Sequence, residues 1–264
     1  MSQRPSTLAT GAARGWRALR TGLAFAVFGA GALLVAALVF PALRLGAGAV
    51  EVRELRAQRI IHLTFGWFAR FMECLGLIRV RRVGTERLRQ RPTLVIANHP
   101  TLIDVVLLIA CMPQADCVVK RAAWRNRFLR GVVAGAGYIR NDDGDALVRA
   151  CSSRLRAGRS VLLFPEGTRS PRGGLGRFQR GAARIAVDSG CPLVPVVITC
   201  HPPTLMKGQR WYDVPDRPAD LTIRVEAAIA PPPADGMAQP ALVARRLTDA
   251  ARTLYERRLG HVDA

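Results

Sequence analysis

The chain has 264 residues, is 50% hydrophobic and carries a formal net charge of +20, enough for one substantial α/β domain plus an accessory element. Its basic residues are nearly all arginine, with lysine only at Lys120 and Lys207, and such a balance implies an anionic partner: nucleic acid, or an anionic membrane surface and phosphorylated substrates. Six cysteines without a C-x-x-C pair argue against a disulfide framework, and the scattered His62, His99, His201 and His261 offer no zinc-site spacing.

The first element is apolar. "TGLAFAVFGAGALLVAALVFPAL" (21–43) runs 23 residues without a charge, long enough to cross a hydrocarbon core as a helix. It is longer than the apolar core of a cleaved signal peptide and leads straight into further helical sequence, so a retained anchor is expected. Arg14, Arg17 and Arg20 precede it, and Arg44, Arg53, Arg56 and Arg59 follow as densely, so the positive-inside rule casts no vote. One consistent topology dips into the bilayer and returns, with both flanks on the cytoplasmic face. Residues 52–78 then present a broad apolar helical face that includes Ile61, Phe65, Trp67, Phe68 and Met72. Such a helix lies at a membrane interface or packs on the following domain. Residues 1–78 are read as a two-helix membrane module and 79–264 as the catalytic domain.

From residue 79 the pattern is α/β. "IRVRRVG", "TLVIA" (93–97), "ADCVVK" (115–120), "SVLLF" (160–164) and "PLVPVVIT" (192–199) read as strands, and 220–229 as an edge strand. Helices are expected at 145–158, ended by Gly158, at 181–190, and at 239–258 after a "PPPADG" linker (231–236). Strands alternating with helices predict a largely parallel central sheet with flanking helices.

Two stretches at strand ends carry chemistry. In "IANHPTLIDVV" (96–106), His99 follows a buried strand, and Pro100 suits the first position of a helix running through "TLIDVVLLIACM". The carboxyl edge of an open α/β sheet is where ligands bind. On this window alone, His99 could equally be a helix cap and Asp104 a first-turn acid that favours the helix dipole. In "FPEGTRS" (164–170), Pro165 and Gly167 force a turn that offers the Glu166 carboxylate and donors from Thr168, Arg169 and Ser170. With Arg172, Arg177 and Arg180 leading into a helix, this is either a phosphate cradle or a solvated basic loop.

Together, a strand ending in N-H-x4-D and a later strand ending in F-P-E-G-T-R resemble the lysophosphatidate acyltransferase family of glycerolipid acyltransferases. "VPVVI" (194–198) is similar to that family's later V-P-V block, so the resemblance runs from about residue 80 to 200. It implies that His99 and Asp104 are the catalytic pair. It implies substrate binding by Asn98, by Glu166, Gly167, Thr168 and Arg169, and by the basic Lys120 and Arg180. The chain departs from the family at "YIRNDDGD" (138–145), where Asn141 stands in place of an arginine, which leaves the acceptor's headgroup open.

The residues suit acyl transfer. Imidazole can take the proton of a hydroxyl attacking a thioester, and Asp104 can fix its tautomer. No enzyme serine is then needed, and the chain has no G-x-S-x-G elbow. A Walker A loop is also missing, and neither metal nor cofactor is expected. The expected function is a membrane-bound O-acyltransferase moving a fatty acyl chain from acyl-CoA or acyl-carrier protein to a lysophospholipid, foremost 1-acylglycerol-3-phosphate. Its partners would be membrane lipids rather than nucleic acid, and its place the inner membrane with the catalytic domain on the cytoplasmic side. The alternatives are another lyso-lipid acceptor, such as a lyso-amino-acid lipid, and a non-catalytic basic protein that binds membranes or nucleic acid.

Overall fold

The computed structural model describes residues 7–45, 48–141, 144–232 and 239–260, with side chains from residue 14 onward. Seven strands form one sheet: β1 (Ile78–Val83), β2 (Leu94–Ala97), β3 (Asp116–Val119), β4 (Ile139–Arg140), β5 (Val161–Leu163), β6 (Leu193–His201) and β7 (Ala219–Val225). Their spatial order is β1-β7-β6-β2-β5-β3-β4. Every neighbouring pair is parallel except β6 and β7, which run antiparallel with Val196 opposite Val225. The largely parallel α/β sheet expected from the strand–helix alternation is therefore present.

Side-chain alternation decides which layer covers which face. Along β2, Leu94 and Ile96 point to a core shared with α7 (Gly144–Arg156), α8 (Gly181–Ser189) and α9 (Pro240–Gly260), where Leu155, Ile185, Leu247 and Tyr255 are buried. Val95 and Ala97 point to the opposite core, shared with α4 (Asp104–Ile109) and the N-terminal helices. Burial on both faces is why these strands read as unbroken apolar runs. Helix α7 stops where expected: Gly158 takes the left-handed conformation, φ 75°, and its N–H donates to Leu155 O at 2.9 Å.

The N-terminal region is an antiparallel hairpin. Helix α1 (Thr7–Leu34) passes through a π-helical turn, Val35–Val39, into α2 (Phe40–Leu45), and α3 (Val50–Cys74) returns beside it. Near one end Arg17 and Arg20 donate to the carbonyls of Gly76 and Leu75, at 2.9 and 3.0 Å, and farther along Phe28 packs on Phe65 and Phe68. Arg14–Leu45 is long and apolar enough to cross a membrane, and little of it is buried. In α3, Ala57, Gln58, Ile61, Phe68, Ala69 and Met72 are buried, most of them in the core that covers the sheet. One face of α3 is thus built into the α/β domain, while Leu63 and Trp67 remain exposed.

Two expectations need correcting, and the stretch after β3 carries elements that the sequence pattern did not show. The helix after His99 begins at Asp104 rather than Pro100, because residues 101–103 form turns that let Thr101 bond the Asp104 carboxylate. Strand β7 is internal, since β1 takes the edge position beside it. Between β3 and β4 lie two short helices, α5 (Arg121–Arg125) and α6 (Arg130–Gly135), and β4 itself has only two residues, which is too short to show alternation. Of the predicted linker at 231–236, residues 233–236 lie outside the described residues.

Candidate active site

The carboxyl ends of β2 and β5 lie side by side, with Ile96 opposite Leu163, so the two motif-bearing loops emerge together. The β2–β6 ladder ends at Ala97 opposite Val196, and beyond it the Asn98 side chain takes over. Its Nδ2 donates to Ile198 O at 2.8 Å, and its Oδ1 accepts from Ile198 N–H at 2.7 Å. Below it the Tyr255 hydroxyl donates to Ile96 O at 2.8 Å and accepts from Val196 N–H at 3.1 Å. Asn98 is buried, and its carboxamide aims at β6 rather than at a substrate. The substrate-binding assignment for Asn98 gives way to a role in fixing the strand end.

His99 follows directly. Its ring stacks on Phe164 at 4.3 Å between centroids, and its Nδ1 sits 2.8 Å from Asp104 Oδ2. Asp104 is fully buried. Its Oδ2 also accepts from Thr101 N–H at 2.6 Å, and its Oδ1 accepts from the Thr101 hydroxyl at 2.5 Å. Burial pushes the Asp104 carboxyl above its ordinary pKa, against the pull of His99 and both Thr101 bonds. Engagement of Nδ1 leaves Nε2 as the nitrogen that can meet a hydroxyl. The His99 side chain is 16% accessible, open enough for that encounter.

The second motif grips the first through main chain. Glu166 is buried; its Oε1 accepts from His99 N–H at 3.2 Å and from the Ser170 hydroxyl at 2.6 Å, and its Oε2 accepts from Gly176 N–H at 2.7 Å. Ser170 N–H returns a bond to His99 O at 2.7 Å. A Cβ at Gly176 would lie 2.5 Å from Glu166 Oε2, so a side chain there would displace the carboxylate from this bond. The Glu166 carboxylate thus accepts three protein donors and clamps the His99 backbone. Gly167 turns the chain at φ 64°, its N–H donating to Phe164 O at 2.9 Å, with Thr168 half-buried after it.

The basic residues separate into two kinds. Arg169 is half-buried, and its Nη1 donates to the carbonyls of Leu205 and Met206, both at 3.1 Å. Lys120 and Arg180 are exposed: Lys120 follows β3 and caps α5, and Arg180 caps α8. Gln179 N–H donates to Pro165 O at 2.7 Å, which brings the Arg180 segment beside the Glu166 turn. Asn141, also exposed, donates its N–H to Val119 O at 3.0 Å and so lies next to Lys120 on the same edge.

An apolar crevice opens beside this edge. It runs between α1 and α3 and is closed by Leu102 and Ile103 of the His99–Asp104 loop and by Leu205. Sequence reasoning missed Thr101, Phe164 and Leu205. A threonine three residues ahead of the acid was a readable signal for Thr101; Leu205 had none.

Comparisons with known proteins agree with this geometry. Residues 79–199 match the sequence model of the Acyltransferase family. A lyso-ornithine lipid O-acyltransferase of Pseudomonas aeruginosa is 33% identical over 154 residues, 56% of this chain and 56% of that protein. The human 1-acyl-sn-glycerol-3-phosphate acyltransferase beta is 29% identical over 143 residues, 50% of each chain. The chain thus spans about half the length of the curated relatives it matches. The crystal structure of the 1-acyl-sn-glycerophosphate acyltransferase of Thermotoga maritima superposes with a TM-score of 0.64 at 21% identity, covering 90% of this chain and 97% of that one, a likeness of fold. With an N-H-x4-D strand end clamped by an F-P-E-G-T-R turn, residues 79–199 of the chain form a domain of the acyltransferase family.

Proposed function

We propose that this protein is a membrane-associated O-acyltransferase that esterifies the free hydroxyl of a lysophospholipid, foremost 1-acylglycerol-3-phosphate, with a fatty acyl group from a thioester. The observation that carries the reading is the 2.8 Å contact between His99 Nδ1 and a buried, triply bonded Asp104 carboxylate. That pairing sets the proton on Nδ1 and leaves Nε2 as a base. Nε2 takes the acceptor's hydroxyl proton as its oxygen bonds to the thioester carbonyl carbon. The C–S bond then breaks, and the proton passes to the departing thiolate. The products are an ester and a free thiol, and no metal or cofactor is required. Acyl-CoA and acyl-carrier protein both fit as donors.

Lys120 and Arg180, exposed at the same sheet edge, are the groups proposed to attract an anionic headgroup. The crevice beside the His99 loop suits the acyl chain being transferred, because its lining is almost wholly hydrocarbon. The apolar hairpin would hold this edge at the level of lipid tails, on the cytoplasmic side of the inner membrane.

A second acceptor class has its own support: a relative at 33% identity is named for a lyso-ornithine lipid, and the family resemblance puts Asn141 where an arginine is usual. The deciding experiment supplies the purified protein in lipid nanodiscs with each thioester donor and a panel of lyso-lipids, and measures free thiol. Release that depends on lysophosphatidate supports the leading reading. A preference for a lyso-amino-acid lipid selects the second, and no acceptor-dependent release with either donor rejects both.

A further inference from the structure

The segment that joins β3 to β4 opens with "KRAAWRNRFLR" (120–130), in which five of eleven residues are basic, and no acid occurs from residue 117 to residue 141. Lys120, Arg121, Arg125, Arg127 and Arg130 are exposed, and none of them pairs with a carboxylate among the described residues. Exposed arginines on α7, α8 and α9, by contrast, have acids beside them: Arg156 meets Asp188 at 3.0 Å, Arg184 meets Asp145 at 2.5 Å and Arg252 meets Glu256 at 2.7 Å. The counter-charge for the 120–130 strip has to come from outside the chain. Packing decides from where. Helix α6 lies against the apolar N-terminal helix: a Cβ on Gly131 would sit 2.5 Å from Ala36 Cβ, and one on Gly135 would sit 2.5 Å from Phe40 Cδ2, so glycine at both lets the two segments approach this closely. Between α5 and α6 the Asn126 Oδ1 accepts from Phe128 N–H at 2.9 Å and the Asn126 carbonyl from Arg130 N–H at 2.8 Å, which fixes the corner and leaves Phe128 43% exposed. The basic strip is thus fastened beside a helix that exposes Leu33, Leu34 and Leu38.

We propose that α5 and the corner after it form a contact with the anionic surface of the bilayer, with Arg121, Arg125 and Arg127 among lipid phosphates and Phe128 reaching below them. The inference deepens the membrane-associated reading given above and rests on it. A bilayer that covers the exposed leucines of the apolar helix brings its headgroups against the strip beside that helix, and each cation there gains from the negative surface potential. A soluble acidic partner would leave unexplained why the strip is fastened to the apolar helix. Lys120, at the sheet edge, stays with the acceptor.

Energy transfer from the protein's tryptophans to trace dansyl-labelled lipid tests this on the full chain, in nanodiscs of phosphatidylcholine with a minority of phosphatidylglycerol. Transfer to dansyl-phosphatidylglycerol should exceed transfer to dansyl-phosphatidylcholine, and the excess should vanish at about 1 M salt, where the screening length is only about 3 Å. The triple change Arg121→Gln, Arg125→Gln and Arg127→Gln should remove most of the excess. Lysine at the same three positions should keep it, because a surface potential reads charge rather than the geometry of a guanidinium fork. The triple change Arg156→Gln, Arg184→Gln and Arg252→Gln lowers the net charge equally and should also keep it. An unaltered excess in the first glutamine variant, or an equal loss in the second, overturns the assignment of the strip. Loss in the lysine variant overturns a surface contact and makes the strip a built phosphate site. A higher KM for an acyl-carrier-protein thioester, with the lipid excess unaltered, makes it a carrier-docking face instead. Wild-type protein that stays in the disc without any excess refutes this inference and leaves the membrane-associated reading intact; protein that does not stay with the disc refutes both. Should the first glutamine variant not fold, the single change Arg125→Glu must still lower the excess.

Discussion

Glu166 Oε1 lies 3.2 Å from the main-chain nitrogen of His99, so the acid of one motif holds the backbone of the residue that carries the imidazole of the other. With the return bond from Ser170 N–H to His99 O, both main-chain polar groups of His99 are fixed by a single turn. Precise placement of a base matters because small displacements lose much of the gain from pre-positioned groups.

Glu166→Gln tests that clamp. The carboxylate accepts three donors, and an amide has one oxygen, so an NH2 group must face either His99 N–H and the Ser170 hydroxyl or Gly176 N–H. A buried donor left unmatched costs about 1–3 kcal/mol. Thermal unfolding in detergent should fall accordingly, and kcat should drop with little change in acceptor KM. A raised acceptor KM at unchanged stability would instead return Glu166 to the substrate.

His99→Ala should cost roughly 10²–10⁴-fold in turnover, the usual worth of a general base. The protein should still fold, because the half-buried ring is not a main core element. Asp104→Asn should be severely impaired as well, since an amide can present a donor to Nδ1 and hold the wrong tautomer. Single-turnover acyl transfer on folded variants, with circular dichroism as the folding check, is the measurement. Residual turnover in His99→Ala above about a tenth of wild type contradicts a general-base role.

At the opposite edge of the sheet a buried ionic network ties α3 to the strands. Arg159 donates through Nε and Nη2 to Asp116 at 2.7 and 2.6 Å and through Nη1 to Glu54 at 2.7 Å, and Gln58 Nε2 donates to Asp116 at 3.0 Å. Burial pushes the Asp116 carboxyl up against the pull of Arg159, so the charged pair survives only as a pair. Arg159→Met should destabilise the protein by about 3–5 kcal/mol, and adding Asp116→Leu should recover much of that. A double-mutant cycle by chemical denaturation checks it; simple additivity would mean that the two side chains are not coupled.

The cysteines give a pH-resolved prediction. Burial pushes the Cys117 and Cys151 thiols from 9.0 up to about 12, whereas Cys74 is exposed. Maleimide should label Cys74 at neutral pH and spare Cys117 and Cys151 until the chain unfolds, as read by intact mass. The sign for stability follows. The folded state holds these two protons more tightly than the unfolded chain does, so their contribution is lost as pH rises from about 9 towards 12. Rapid native labelling of Cys117 would refute the buried assignment.

Much of this was legible in one dimension. Unbroken apolar runs marked β2, β5 and β6, because strands covered on both faces have no polar side to show. The H-x4-D and F-P-E-G-T-R blocks marked the site, since ligand-facing residues gather at strand ends and those ends carry turn-forming Pro and Gly. The pairing of His99 with Asp104 was also suggested by residue type, as only a few side chains can exchange a proton near neutral pH, and the two do meet at 2.8 Å.

What the linear chain could not state is which polar group meets which. Asn98, Glu166 and Arg169 are of residue types that bind substrates, yet in the folded protein their polar atoms bond Ile198, the His99 backbone and the Leu205 turn. The neighbours that claim them are distant in sequence, and no periodicity encodes them. The same holds for β7, an internal strand only because β1 pairs along its outer side, and for α3, whose buried face became part of the core when the sheet formed beneath it. Residue chemistry and local pattern are properties of the sequence; whether a charged or amide side chain is left for a ligand or taken by backbone is decided by long-range packing, because a buried polar group bonds whatever partner the fold brings to it.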